Sequence, residues 1–340
     1  AYITSIVIPK SIRSMGLERG DYGGICSAFT DCKFLDTVIF EEGMTRIPDY
    51  ALSGCKSVKN IVIPEGVTEI GEQAFQNTGI DTLNLPSTLE KIKEQSIMEC
   101  GLLTSIVIPD NVKEIGRWAF SNCTELEYVK FPDNLRNIGS HAFGQCGKLK
   151  DVVLPENIET IGHGAFNSAY ITSIVIPKSI RSMGLERGDY GGICSAFTDC
   201  KFLDTVIFED GMTRIPDYVL DGCKNVANVV IPKKVTEIGV DAFRGCSNLK
   251  KIIIPQSVIK IEKQAFGECD NLSIYCFKDS YAYQYAVDQN IPYVIISDDT
   301  NIGDSTDVGN AAISCDKTQT IAEGTDAFIM LHIKADNQSE

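Results

Sequence analysis

Positive charge is scarce in this 340-residue chain: 31 Lys and Arg stand against 46 Asp and Glu, a formal net charge of −15 at pH 7. That balance argues against nucleic acid or anionic lipid as a partner, since both require a basic face. Histidine is limited to three residues, His141, His163 and His332, which leaves little for acid–base chemistry or metal ligation. No apolar run approaches the roughly 18 residues that would span a bilayer, so membrane insertion is not expected. The start, Ala1 to Thr4, has no basic segment leading into an apolar one. Also missing are G-x-S-x-G, H-E-x-x-H, P-loop and dinucleotide motifs and the C-x-x-C spacing of structural zinc sites. No catalytic residue, metal or cofactor is therefore assigned, and an enzyme reading has nothing to rest on. What the chain does have is 44% hydrophobic residues, ample for a large core.

Those residues recur with a period. The segment Leu103 to Cys123 states the frame, L-x-x-I-x-I-P-x-x-V-x-x-I-G-x-x-A-F-x-x-C, and units begin at Ile3, Leu35, Val58, Ile80, Leu103, Leu126, Leu149, Ile171, Leu203, Val226 and Leu249, with a partial one at Leu272. Most steps are 22 or 23 residues; two are 32. Such a period signals a solenoid in the leucine-rich-repeat range. L-x-x-I-x-I turns its apolar residues to one side as a short strand, and the proline stops it. Ile115 and Ala119-Phe120 then return the chain to the core. One coil cannot bury its apolar face alone, so coils must stack and their strands pair in parallel. Eleven strands give a surface on the order of 50 Å long.

The frame with Ile-Pro after the strand, Ile-Gly-x-x-Ala-Phe and the trailing Cys resembles the BspA-like leucine-rich repeats of bacterial surface proteins, over residues 3 to about 296. The resemblance implies a right-handed superhelix of the α/β leucine-rich-repeat type, with a curved parallel sheet on its concave face and short irregular or 3-10 segments on its convex face. It also implies an extracellular or cell-surface location, adhesion to host matrix or other cells, and no catalytic residues. Signal and anchor are expected outside these residues. Residues 274–296 resemble the family's closing segment, in which a helix capped by Asp279 or Ser280 runs to about Gln289 and hides the open edge of the last coil. The expected organisation is a solenoid over 1–296 with its cap at 272–296, a linker over 297–310, and a partial β segment or the start of a further domain over 311–340. Ala1-Tyr2 matches Ala169-Tyr170, which close a repeat, so the chain is expected to begin inside an array.

Residues 1–41 are identical to 169–209, including positions expected to face water, and this means recent copying. Inside the copied stretch lies a nine-residue, glycine-rich insertion that reads as a loop. It carries Arg19-Gly20-Asp21 and its copy Arg187-Gly188-Asp189, the tripeptide that integrins recognise on mobile loops. Because the copies count once as evidence, an ordinary polar turn is the stronger reading and integrin binding the weaker.

Of the 13 cysteines, nine (Cys32, Cys55, Cys100, Cys123, Cys146, Cys200, Cys223, Cys246 and Cys269) share one repeat position, which Thr78 and Ala169 fill elsewhere. A site that accepts Cys, Thr or Ala is small and buried, and a file of reduced thiols is expected there. Cys26 and Cys194, in the insertion, are the better candidates for a local bridge. His141 and His163 fall at near-equivalent positions of adjacent coils, but further ligands for a metal are lacking, so surface histidines are the favoured reading.

Binding is placed on the outer face of the strands. The residue between the two inward isoleucines reads Val7, Ile39, Val62, Asn84, Val107, Lys130, Val153, Val175, Ile207, Val230, Ile253 and Cys276. Either strand propensity or a partner site explains so apolar a stripe. Tyr128 and Lys130 share one strand at mid-array and, with Val107, Val153 and Asp151, form the candidate contact for an extracellular protein or glycan. The alternative is a structural stalk displaying a neighbouring domain.

Overall fold

A computed structural model describes residues 3–12, 15, 28–29, 32–184 and 195–296. Its coils follow from the frame. In the coil from Leu103, the side chains of Leu103, Ile106, Ile108, Val112, Ile115, Ala119, Phe120 and Cys123 are at most 2% exposed. The strand Ser105–Val107 buries Ile106 and turns Val107 outward, as two-residue alternation requires. Pro109 cannot continue a ladder, and its carbonyl accepts the Val112 N–H at 3.0 Å to close the turn. Stacking repeats each inward position in file: Phe120 lies on Phe143 with ring centroids 5.0 Å apart, and Phe143 on Phe166 and Phe166 on Phe197 at 5.7 Å. One core therefore runs the length of the array.

The L-x-x-I-x-I strands pair in parallel in four segments: Ser5–Ile8, Thr37–Phe40 and Asn60–Val62; Ser105–Val107 and Tyr128–Lys130; Ser173–Ile176 and Thr205–Phe208; then Asn228–Val230, Lys251–Ile253, Ser273–Phe277 and Tyr293–Ile296. This is the expected solenoid of about eleven turns. A second parallel ladder joins the V-x-x-I parts of the coils, two residues each, from Arg46–Ile47 to Ser182–Met183 and again from Arg214–Ile215 to Lys260–Ile261. The frame anticipates only irregular or 3-10 segments there; the described residues show turns and this ladder, and no 3-10 segment. Where the frame has Ile-Gly, the glycine fits a close approach of the backbone. A Cβ on Gly116 would stand 2.6 Å from the Lys93 carbonyl carbon, and one on Gly162 would stand 2.4 Å from the Ser140 nitrogen. Glycine lets adjacent coils close to 2.8 Å hydrogen bonds, Gly116 N to Ile92 O and Gly162 N to Ile138 O.

A third column of coil-to-coil bonds runs beside the Ala-Phe pair. Trp118 N donates to Ser140 O, Phe120 N to Ala142 O and Asn122 N to Gly144 O. The same three bonds recur at steps starting from Tyr50, Gln73, Gln95, Trp118, His141, Gly164, Tyr218 and Asp241, at 2.7–3.2 Å. Two residues of the coil hold left-handed backbone to aim these groups, Trp118 at φ 51° and Asn122 at φ 61°. Every donor in this column points to the following coil, whereas parallel strands alternate donors and acceptors.

The array closes with the helix Tyr281–Asp288, whose N-cap Ser280 accepts the Tyr283 N–H, and which buries Ala282 and Ala286. Contrary to expectation, the helix does not end the sheet: Tyr293–Ile296 follows it and pairs with Ser273–Phe277. The last coil also shifts one assignment. Leu272 and Ile274 are separated by one residue instead of two, so Tyr275 stands opposite Ile253 and faces out, while Cys276 is fully buried.

Candidate binding surface

The outward position of the first ladder is exposed along most of its length, at 56% for Val7, 50% for Val62, 57% for Val107, 56% for Val153 and 45% for Val175. Lys130 is exposed beside Val107, with which it is in register, and Tyr128 is half-buried beside Ser105. Farther along, Lys251 Nζ stands 4.7 Å from the centroid of the Tyr275 ring, an aromatic–cation contact on this face.

The stripe is not one continuous sheet. No strand forms at Asn84 or at Val153. The coil from Ile80 is entered through a turn one residue shorter than at Leu103, with Gly79 packed so tightly that a Cβ would lie 2.3 Å from the Lys56 carbonyl oxygen. Asp151 was expected at a flanking strand position; it instead adopts φ 53°, a conformation that Asp tolerates and a strand does not. Asp151 and Val153 are both exposed, so the predicted residues Val107, Tyr128, Lys130, Asp151 and Val153 sit on successive coils, but across a break in the ladder.

The second ladder has the opposite character. Its outward residues include Arg46, Glu69, Lys91, Glu114, Arg214, Glu237 and Lys260. They are laced by ion pairs, such as Arg46–Glu69 at 2.6 Å, Lys93–Glu69 at 3.1 Å and Arg214–Glu237 at 3.0 Å. Arg46 and Arg214 each also reach a second carboxylate, Asp49 and Asp217, at 2.6 Å. Parallel strands in this molecule thus accept charge on an outer face, and the valines of the first ladder are not required by strand geometry.

The sequence matches the BspA-type leucine-rich repeat region, a unit of six copies, over residues 2–104, 90–186 and 194–304. The chain belongs to this family. Similar solved structures include a leucine-rich repeat protein from Bacteroides ovatus (23% identity, 86% of this chain and 92% of that one covered, TM-score 0.42). Two others are a leucine-rich cell surface protein from Faecalibacterium prausnitzii (24%, 84% and 91%, TM-score 0.37) and a leucine-rich repeat protein from Eubacterium ventriosum (17%, 81% and 87%, TM-score 0.41). No curated protein matches the chain. Among the described residues no helix is long and apolar enough to cross a membrane.

Other residues of the BspA-type coils can now be placed. All ten described cysteines are free thiols. Most of those in file also make a contact that the sequence did not signal. The thiol donates to the carbonyl of the Phe position one coil back: Cys123 to Ile97 and Cys146 to Phe120 at 3.2 Å, Cys200 to Phe166 at 3.1 Å, Cys246 to Leu220 at 3.2 Å. Burial pushes Cys100 up to about 11 and Cys146 and Cys200 up to about 12, which keeps them protonated and unreactive. Thr78 fills the same position, but its hydroxyl donates within its own coil, to the Phe75 carbonyl at 3.0 Å, which the Cys100 thiol of the next coil also reaches at 3.2 Å.

His141 and His163 do meet, edge to face with centroids 4.9 Å apart, and Trp118 stacks on His141 at 5.8 Å. Burial, then His163 and Arg117, lower the His141 pKa. Among the described residues no group of three or more His, Cys, Asp or Glu is placed to hold a metal. Both Arg-Gly-Asp tripeptides (Arg19, Gly20, Asp21 and Arg187, Gly188, Asp189) lie outside the described residues, as do Cys26 and Cys194.

Proposed function

We propose that this protein is a cell-surface or secreted bacterial binding protein that uses the outer face of its first ladder, centred on Val107, Tyr128, Lys130 and Val153, to adhere to an extracellular protein or glycan such as host matrix. The observation that carries this reading is the contrast between the two ladders. Both are parallel and solvent-facing, one laced with ion pairs and the other presenting exposed valines at Val7, Val62, Val107, Val153 and Val175. Evenly spread apolar side chains rimmed by polar ones mark a protein contact better than a solvated wall. A half-buried tyrosine beside an exposed lysine supplies the kind of anchor on which binding energy concentrates.

The purified chain, presented to immobilised matrix proteins and to a glycan array, is expected to retain a subset of them. A Val107→Asp, Lys130→Glu double variant should bind that subset at least about tenfold more weakly, with stability changed by no more than about 0.5 kcal/mol because both sites are exposed. Unchanged binding by the folded variant would remove the first-ladder face from consideration.

A further inference from the structure

Among the described residues the third column ends without a partner. In each of the eight steps above, three N–H groups of one coil meet three carbonyls of the next. In the last coil the corresponding donors are the N–H groups of Gln264, Phe266 and Glu268, and none of them has an acceptor among the described residues. The intervening Ala265 and Gly267 N–H groups bond within the coil, to Glu262 O and Gln264 O. Gln264 and Glu268 keep the left-handed backbone of the column, at φ 52° and 60°, so the row is set as in the eight paired steps.

The cap helix cannot complete the row. It covers the core of the last coil, with Tyr285 edge-on to Phe266 at 6.0 Å, but helix carbonyls are turned along their own axis. The Ser280 and Tyr285 carbonyls, for example, take the N–H groups of Gln284 and Gln289. Between coil and helix remains a groove of about 670 Å³, whose lining includes Gln264, Phe266, Tyr281 and Tyr285.

We propose that this groove, with the coil edge at Glu268 that continues from it, docks an extended peptide segment of a basic partner protein, whose alternate backbone carbonyls take the Gln264, Phe266 and Glu268 N–H groups as a further coil would. Three reasons select that occupant. The donors fall on alternate residues, and an extended backbone turns alternate carbonyls to one side, whereas a single anion cannot span the row. The groove is lined by two carboxylates, Glu262 and Asp288, against one cation, Lys263, and the whole chain carries −15. The oxygen accepted must therefore be neutral, and accompanying Lys or Arg side chains are favoured. Tyr281, 44% exposed at the lip, offers a ring face to such a cation. The site is separate from the first-ladder face and does not depend on its role.

The test is amide-resolved NMR on the ¹⁵N-labelled chain with acetyl-Lys-Val-Lys-Val-Lys-amide as probe, its Glu-Val-Glu-Val-Glu counterpart, spermidine as a cation without carbonyls, and cellohexaose as a neutral glycan. Fast exchange of the three amides in the free protein is expected, then shifts and at least about tenfold slower exchange with the lysine peptide. Glu262→Gln with Asp288→Asn should weaken binding roughly threefold or more, and Lys130→Glu should leave it unchanged. The proposal falls if the three amides are already protected in the free chain or do not respond to the lysine peptide. It falls equally if the glutamate peptide or spermidine produces the same response, or if only cellohexaose does.

Discussion

A buried thiol that recurs coil after coil is selected by more than size. Most of these thiols fill a small site and also donate to a carbonyl of the coil before; the Phe120, Phe166 and Leu220 carbonyls also accept a backbone N–H, whereas the Ile97 carbonyl receives no hydrogen bond other than that of Cys123 among the described residues. Cys123→Ala should therefore cost about 1–3 kcal/mol, the penalty of an orphaned buried acceptor plus a small cavity, read as a fall in denaturant midpoint. Cys123→Ser should cost less, because a hydroxyl at that position keeps a donor beside the Ile97 carbonyl. Equal losses for the two variants would mean that the hydrogen bond contributes nothing. His141 gives a pH dependence. Its folded pKa lies below the ordinary 6.5 because it is half-buried and faces His163 and Arg117. The neutral form is thus the one the fold holds. The associated stability is complete above pH 6.5 and is lost as pH falls through the lower, folded pKa. His141→Gln should flatten the thermal-stability profile below about pH 6.5; a profile as steep as the parent's would assign the acid sensitivity elsewhere.

Among elements, the short second ladder packs its glycines against backbone, although Glu262 N also reaches Ile238 O at 2.9 Å without one. Gly116→Ala would drive a Cβ to 2.6–2.7 Å from the backbone of Lys93 and Glu94, and a loss of about 1–3 kcal/mol is expected by thermal melting, with far-UV circular dichroism little changed. A neutral result would show that the coils slide apart freely. The strand face, the inward file of residues and the cap helix were legible in the sequence because each has a period or a capping signal that the side chains carry. The second ladder was not, since two-residue strands have too little alternation to read. Nor was the third column: Trp118, His141 and Gln73 hold left-handed backbone, yet none is a residue type that announces it. Asp151 does belong to a type that tolerates that conformation, and the expectation of a regular strand there overrode the signal. Cys276 was misplaced by one because the last coil is one residue short, a slip that reverses faces in any strand.

For the whole molecule, the repeat arithmetic carried the architecture, while the candidate surface needed coordinates. Only the structure shows one ladder charged and the other apolar, the contrast on which the proposed binding face rests. The tripeptide loops, the most conspicuous motif in the sequence, gain nothing from the fold because they lie outside the described residues.

The coils touch only their neighbours, and this has a mechanical consequence. If the two ends are pulled apart, load falls on the outermost coil, whose bonds to the next open in turn rather than all at once. Each coil that peels releases about 23 residues, lengthening the chain by roughly 75 Å, the extended span of those residues less one strand spacing. Single-molecule stretching should accordingly give a staircase of similar steps, and one release of the full length would contradict it. A tether built this way yields gradually under shear instead of breaking its hold.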